Sequence, residues 1–135
     1  MNLNQWRNEI HKSAVEHGWW EEERSFGDII ALCHSELSES LEEYRNGKPN
    51  FYYKCLIDES DECCICEPEN SGCGYQSDMC NEKSKKPEGI AIELADCIIR
   101  ILDYCGKEGI DIEEAVRIKH EYNKTRPHRH GGKWL

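Results

Sequence analysis

Two short series of carboxylates are the side chains of this sequence best suited to chemistry. Glu36, Glu39 and Glu43 follow one another at spacings of three and four, and Glu93 and Asp96 repeat the spacing of three. On a helix these spacings form one stripe, where each like-charged pair costs roughly a few tenths of a kcal/mol. A divalent cation would offset the repulsion, and Mg²⁺ prefers carboxylate oxygens together with water and substrate phosphates. The pattern predicts a magnesium site.

A solvated acidic face is the alternative interpretation of the same residues. The chain carries 17 Lys and Arg against 27 Asp and Glu, a formal net charge of −10, and acidic proteins commonly hold such series on polar helix faces. Two features favour the metal site. An E-x-x-E pair on one helix is followed by an E-x-x-D pair in the most apolar helix, and helices joined by one connection are expected to be antiparallel neighbours.

A basic stripe near the end of the chain could hold phosphate oxygens. Lys119, Asn123 and Arg126 lie at spacings of four and three, so a helix would present their ammonium, amide and guanidinium groups together. An ordinary basic helix end, favoured by the helix dipole, is the alternative. Trp6 is a candidate for stacking on a base, although its place on the apolar stripe of the first helix favours the core.

Nine cysteines divide into two groups. Cys33, Cys97 and Cys105 lie in apolar helical patterns, where a free thiol behaves as a small hydrophobe. The other six fall in a segment rich in polar residues: Cys55, Cys63, Cys64, Cys66, Cys73 and Cys80. The C-x-x-C pair, Cys63 and Cys66, could bind one zinc ion together with Cys73 and Cys80. An iron–sulfur cluster and a thiol-bearing loop without metal are the alternatives. We expect residues 50–86 to be a cysteine-rich insertion.

Hydrophobic periodicity predicts an all-α fold with four helices in a single domain of 135 residues. The first, second and fourth predicted helices cover 3–17, 26–46 and 112–126. The third is predicted to begin with a first turn at Pro87 and Glu88 and to continue through 90–105. Capping signals at Ser25 and Asp111 support the second and fourth.

Charge and hydropathy limit the class of protein. The net charge of −10 argues against general binding to nucleic acid or anionic membranes, and no apolar run approaches the length of a transmembrane helix. With no leader recognised, we expect a soluble cytoplasmic protein.

The acidic pairs resemble a known family. Glu36-Leu37-Ser38-Glu39 followed by Glu93-Leu94-Ala95-Asp96 is similar to the signature of the MazG-like all-α nucleotide pyrophosphohydrolases. The segments "HSELSESLEEYRNGKP", "IAIELADCIIRILDYCG" and "KHEYNKTRPHRHGGK" look like helices two to four of small members. Here 53 residues separate Glu39 from Glu93, whereas the family usually has a much shorter connection.

The resemblance implies a four-helix MazG-like bundle that hydrolyses nucleoside triphosphates to monophosphate and pyrophosphate. It implies Mg²⁺, with Mn²⁺ as a substitute, held by Glu36, Glu39, Glu93 and Asp96, and we assign Glu39 as general base. It also places the Lys119, Asn123 and Arg126 pattern near the triphosphate. Members typically form dimers or tetramers, and the apolar third helix likewise suggests a homodimer or homotetramer. The competing hypothesis is a non-catalytic metal-binding or redox-responsive interaction module that works through the cysteine segment.

Overall fold

The computed structural model describes residues 1–55 and 85–127, which form four helices and one small sheet. The helices and strands, in chain order, are α1 (Leu3–Glu16), α2 (Phe26–Arg45), β1 (Tyr52–Cys55), β2 (Lys85–Glu88), α3 (Ile90–Lys107) and α4 (Ile112–Lys124). The predicted mostly helical fold is therefore confirmed. Residues 56–84 and 128–135 lie outside the described part of the chain, and the four cysteines proposed to bind zinc, Cys63, Cys66, Cys73 and Cys80, all lie in the first of these ranges.

Polar caps set the starts of two helices where the sequence predicts them. Ser25 accepts a hydrogen bond from the backbone of Asp28, and the Asp28 carboxylate in turn accepts one from the Ser25 backbone. At α4, the Asp111 side chain accepts from the backbone of Glu114. Each cap satisfies an amide that the first helical turn leaves without a partner.

The start of α3 differs from the prediction, because Pro87 and Glu88 belong to a strand and not to the first helical turn. β1 and β2 pair antiparallel, with Tyr52 opposite Glu88 and Lys54 opposite Lys86. The all-α prediction missed this two-stranded stem, which joins the two ends of the cysteine-rich segment. Strands of four residues are too short to show a convincing alternation, and their pairing depends on contacts between distant parts of the chain.

Gly89 allows the chain to turn from β2 into α3. Its φ is +116°, and a Cβ at this position would lie 2.6 Å from the Asn50 carbonyl oxygen. Only glycine accommodates both the backbone conformation and this approach. The Gly89 carbonyl accepts a hydrogen bond from the amide of Glu93, so the turn fixes where α3 begins.

The chain divides into two compact units. One contains Ser25–Arg100, and the other contains Met1–Arg24 with the chain from Ile101 onward, so that α3 contributes to both. In the unit formed by Ser25–Arg100, α2 and α3 run antiparallel, as predicted. Ser40 Oγ donates to the carbonyl of Ile90, the first residue of α3, at 3.1 Å, while Glu36, one turn earlier in α2, meets Arg100 further along α3. Ile29, Cys33, Tyr52 and Cys97 form its buried apolar part.

In the other unit, α1 packs against α4 and the last turns of α3. His11 Nδ1 and the Trp20 indole nitrogen both lie within hydrogen-bonding distance of Asp103 Oδ1, at 2.8 and 3.0 Å. Asn4 donates to Asp111, so the same aspartate caps α4 and joins it to α1. Leu102 and Cys105 are the buried apolar residues.

Among the residues that the structure describes, no helix combines the length and the apolar character needed to cross a bilayer.

Candidate metal site

Three of the four predicted ligands meet between α2 and α3. Glu36 comes from α2, and Glu93 and Asp96 from the first turns of α3, and one ligand atom from each lies within 4.8 Å of the others. The antiparallel arrangement brings the two series together, since Glu93 and Asp96 project from the same side of α3 as residues three apart do. We call these three residues the acidic cluster.

Two members of the acidic cluster are deeply buried. Glu36 is 5% exposed and Glu93 is 7% exposed, whereas Asp96 is partly accessible. Within the described residues, no group donates a hydrogen bond to the Glu93 carboxylate, although buried charges are normally paired. A buried acceptor that faces two more carboxylates fits a cation with oxygen ligands, which is the donor set of Mg²⁺ or Mn²⁺.

The pKa of Glu93 is raised to about 7. Burial is the main cause, and the negative charges of Glu39, Glu88 and Asp96 add to it. The pKa of Asp96 is also raised by burial and by Glu36, although the positive charge of Arg100 opposes the shift. Both shifts have the sign expected for carboxylates that are buried close to other negative charges.

Arg100 is a site residue that the sequence does not indicate. Its Nε donates to Glu36 Oε1 at 2.5 Å, and its side chain is 26% exposed. Arg100 lies four residues after Asp96, and its charge acts on both carboxylates. This guanidinium compensates the buried charge of Glu36.

Further carboxylates surround the acidic cluster. Glu39, the predicted fourth ligand and general base, is exposed, accepts a hydrogen bond from Ser35 at 3.2 Å, and is not one of the three converging ligands. Its charge nevertheless acts on Glu93. Glu43 is partly buried on the same helix, and its Oε2 atom has no hydrogen-bond donor among the described groups.

The stem adds residues that sequence analysis missed. Glu88 is 8% exposed, and its carboxylate accepts a hydrogen bond from Lys86 Nζ at 2.8 Å. Tyr52 is 4% exposed, and burial followed by its hydrogen bond to Glu43 raises the pKa of its hydroxyl. The two strands are far apart in the sequence, and nothing in the residues between Cys55 and Lys85 indicates that β1 and β2 pair. Only the i, i+2 spacing of Lys86 and Glu88 could have suggested one face of a strand.

The predicted phosphate-binding residues lie in the unit that contains α4. Lys119 and Asn123 are exposed on α4, and Arg126 is exposed two residues after its end. Lys119 Nζ lies 5.2 Å from the centre of the Tyr122 ring. Trp6 is 50% exposed on α1, so the preference for a core position was wrong, which leaves its indole accessible.

Comparison of the chain with protein-family models, with curated proteins and with solved structures finds no match.

Proposed function

We propose that this protein is a magnesium-dependent nucleoside triphosphate pyrophosphohydrolase of the MazG-like type, acting in the cytoplasm on noncanonical or surplus nucleotides. The products would be the nucleoside monophosphate and pyrophosphate. The motifs around Glu36 and Glu93 suggest the family, and the four helices are compatible with a MazG-like bundle carrying a cysteine-rich segment between α2 and α3.

One observation carries the proposal: three carboxylates from two helices converge, and the buried Glu93 receives no hydrogen bond from the described residues. A surface that only needed solubility would keep its acids in water, since burying an unpaired carboxylate costs several kcal/mol, roughly. The arrangement is explained if a cation completes the site.

Glu36, Glu93 and Asp96 would hold Mg²⁺, which when bound withdraws charge from the α and β phosphates. Glu39 is exposed and its charge acts on Glu93, and we propose that it accepts the proton of an attacking water molecule. The water oxygen then bonds to the α phosphorus, and the bond from that phosphorus to the bridging oxygen breaks. Pyrophosphate leaves with the electron pair.

Lys119, Asn123 and Arg126 are proposed to bind phosphate oxygens, and Trp6 to stack on the base. All four are exposed, so their polar or aromatic groups are accessible to a ligand. Lysine and arginine form charge-assisted hydrogen bonds with phosphate, and an exposed indole offers a large flat surface to a base.

A homodimer or homotetramer is part of this proposal. Large apolar side chains on both long helices remain exposed to between 39% and 69%, among them Ile30, Leu37, Leu41, Tyr44, Leu94 and Ile98. Exposed apolar side chains in such number are commonly covered by another subunit.

The direct test is a panel of canonical and modified nucleoside triphosphates incubated with metal-free protein, with and without Mg²⁺. Release of monophosphate and pyrophosphate that depends on Mg²⁺ is the expected result, and Mn²⁺ should substitute. Release of orthophosphate alone would indicate different chemistry, and no product from any nucleotide would reject the enzyme.

The competing function is a metal-binding or redox-responsive interaction module that uses the cysteine-rich segment. Its cysteines lie almost entirely outside the described residues, so the two hypotheses separate by experiment. Zinc or iron in the purified protein, lost when Cys63 and Cys66 are changed to Ser while nucleotide turnover is absent, would favour the module.

A further inference from the structure

The stem presents four polar side chains on one face. In an antiparallel pair, residues directly opposite each other project to the same side, as do residues two apart on one strand. The register places Tyr52 opposite Glu88 and Lys54 opposite Lys86, so these four share a face.

This face of the stem ends next to the acidic cluster. Glu88 is the last residue of β2, and the carbonyl of the next residue, Gly89, accepts a hydrogen bond from the Glu93 amide at 3.1 Å. Glu88 and Tyr52 are both buried, and the Lys86 Nζ donates to the Glu88 carboxylate at 2.8 Å. The Lys86 ammonium is thus held by the carboxylate that precedes this turn, while its side chain remains 60% exposed.

Two lysines directly opposite each other are unfavourable in a sheet. Like charges at such a position repel, and cross-strand pairs of this type destabilise the strands. Lys54 and Lys86 are both exposed, and the Glu88 carboxylate compensates one of them. An anion bound between the two ammonium groups would remove the remaining repulsion.

We propose that Lys54 and Lys86, here called the basic pair, bind the terminal phosphates of a polyphosphate whose metal ion is held by the acidic cluster. This inference rests on the proposed function, because it assigns substrate contacts at the same site. A metal at the acidic cluster leaves phosphate oxygens that are not its ligands, and an ammonium group is a compact charge suited to them. The ends of the cysteine-rich segment thus supply part of the substrate site.

The experiment measures two affinities by isothermal titration calorimetry: that of Mg²⁺ alone, and that of inorganic pyrophosphate at saturating Mg²⁺. The variants are Lys54→Gln, Lys86→Gln and the double variant. Lys86→Arg keeps the charge, and Lys12→Gln is the matched control, because Lys12 is an exposed lysine on α1 whose Nζ lies 4.0 Å from Glu16.

We expect each glutamine variant to lose about tenfold in pyrophosphate affinity, as for one hydrogen bond to a charged group, and the double variant to lose more. Their Mg²⁺ affinity should be unchanged or higher, since a positive charge has left the neighbourhood of the acidic cluster. Lys86→Arg and Lys12→Gln should bind pyrophosphate as the unmodified protein does. Opposite responses to the two ligands distinguish phosphate binding from a merely structural role.

Unchanged pyrophosphate affinity in the double variant would overturn the basic pair, as would an equal loss of Mg²⁺ and pyrophosphate affinity, or failure of the unmodified protein to bind pyrophosphate. These results are independent of turnover. If the protein hydrolyses nucleotides but the double variant binds pyrophosphate normally, the proposed enzymatic function stands and the proposed role of the basic pair is rejected. If the protein binds pyrophosphate through these lysines but hydrolyses no nucleotide, the role of the basic pair stands and the enzymatic function is rejected.

Discussion

Arg100 and Glu36 are 64 residues apart in the chain, yet the Arg100 Nε donates to the Glu36 carboxylate at 2.5 Å between α2 and α3. Glu36 is among the most buried charged residues described. Burial raises the pKa of Asp96, and the positive charge of the same guanidinium opposes that shift. The ion pair joins two helices at the point where their carboxylates would otherwise repel. It therefore links the stability of the metal-free protein to the charge of the acidic cluster.

Changing Arg100 to Gln should destabilise the metal-free protein by about 2–3 kcal/mol, because the change leaves Glu36 buried without this cation. Saturating Mg²⁺ should restore more stability to this variant than to the unmodified protein. Urea unfolding with and without Mg²⁺ measures both effects. Arg117→Gln is the control, since Arg117 forms an exposed pair with Glu114. An Arg100→Gln variant as stable as this control would contradict the prediction.

Glu93→Gln and Asp96→Asn should each reduce nucleotide turnover by orders of magnitude while leaving the fold intact. Each change would remove one charged ligand from the proposed metal site but relieves repulsion in the metal-free state. Steady-state kinetics and Mg²⁺-dependent melting curves provide the measurements. Glu42→Gln, an exposed position on α2, should behave as the unmodified protein. Normal turnover in both cluster variants would remove the acidic cluster from the active site.

The stability of the metal-free protein should depend on pH through Glu93. Its pKa is about 7 in the folded protein against an ordinary value of 4.5, so the folded state binds this proton more tightly than the unfolded state. The free energy of unfolding should therefore fall as pH rises from 4.5 to about 7, by on the order of 1–3 kcal/mol. Chemical denaturation across this range tests the sign. In Glu93→Gln the decrease should be much smaller, and a curve identical to that of the unmodified protein would contradict the assignment.

Local sequence signals predicted the helices well. The caps at Ser25 and Asp111 appear where the pattern places them, and Glu36, Glu93 and Asp96 converge because helical spacing and antiparallel pairing are both readable from the chain. The features that the sequence did not indicate are those that depend on contacts between residues far apart in the chain.

Arg100 illustrates that limit, since it lies in an apolar helical pattern and its partner is on another helix. Glu88 illustrates it again: beside Pro87 it has the composition of a helix start, and only pairing with β1 makes it a strand residue. Glu39 obeys the helical spacing, but it is exposed and lies outside the group of three converging ligands.

Alanine in place of glycine should have opposite effects at two helical positions. At Gly106 a Cβ would lie 2.4 Å from the Cβ of His11, so Gly106→Ala should destabilise the protein by about 1–3 kcal/mol despite the better helix propensity of alanine. At Gly27 the nearest atom, Ser25 Oγ, is 3.6 Å away, and Gly27→Ala should stabilise by about 0.5–1 kcal/mol. Thermal melting of both variants decides, and a neutral Gly106→Ala would show that α1 yields easily.

Ile98→Glu should weaken self-association. Ile98 is 54% exposed on α3, and a charge there would have to lose its water in any interface formed by the apolar side of that helix. Light scattering at micromolar concentration should show a dimer or larger for the unmodified protein and a smaller species for the variant. Ser38→Glu, at an exposed polar position of α2, should not change the mass. A monomeric unmodified protein would reject the assembly.

The antiparallel register of the stem makes the segment between its strands exchangeable. Cys55 and Lys85 are directly opposite each other, so the ends of the intervening chain are separated by no more than one strand spacing. The free-energy cost of closing a loop rises slowly with its length, by about 0.6 kcal/mol for each doubling. A two-residue turn can also join the ends of two antiparallel strands. The stem is thus a permissive insertion point, at which evolution or an engineer can graft, lengthen or remove a module without rebuilding the helices.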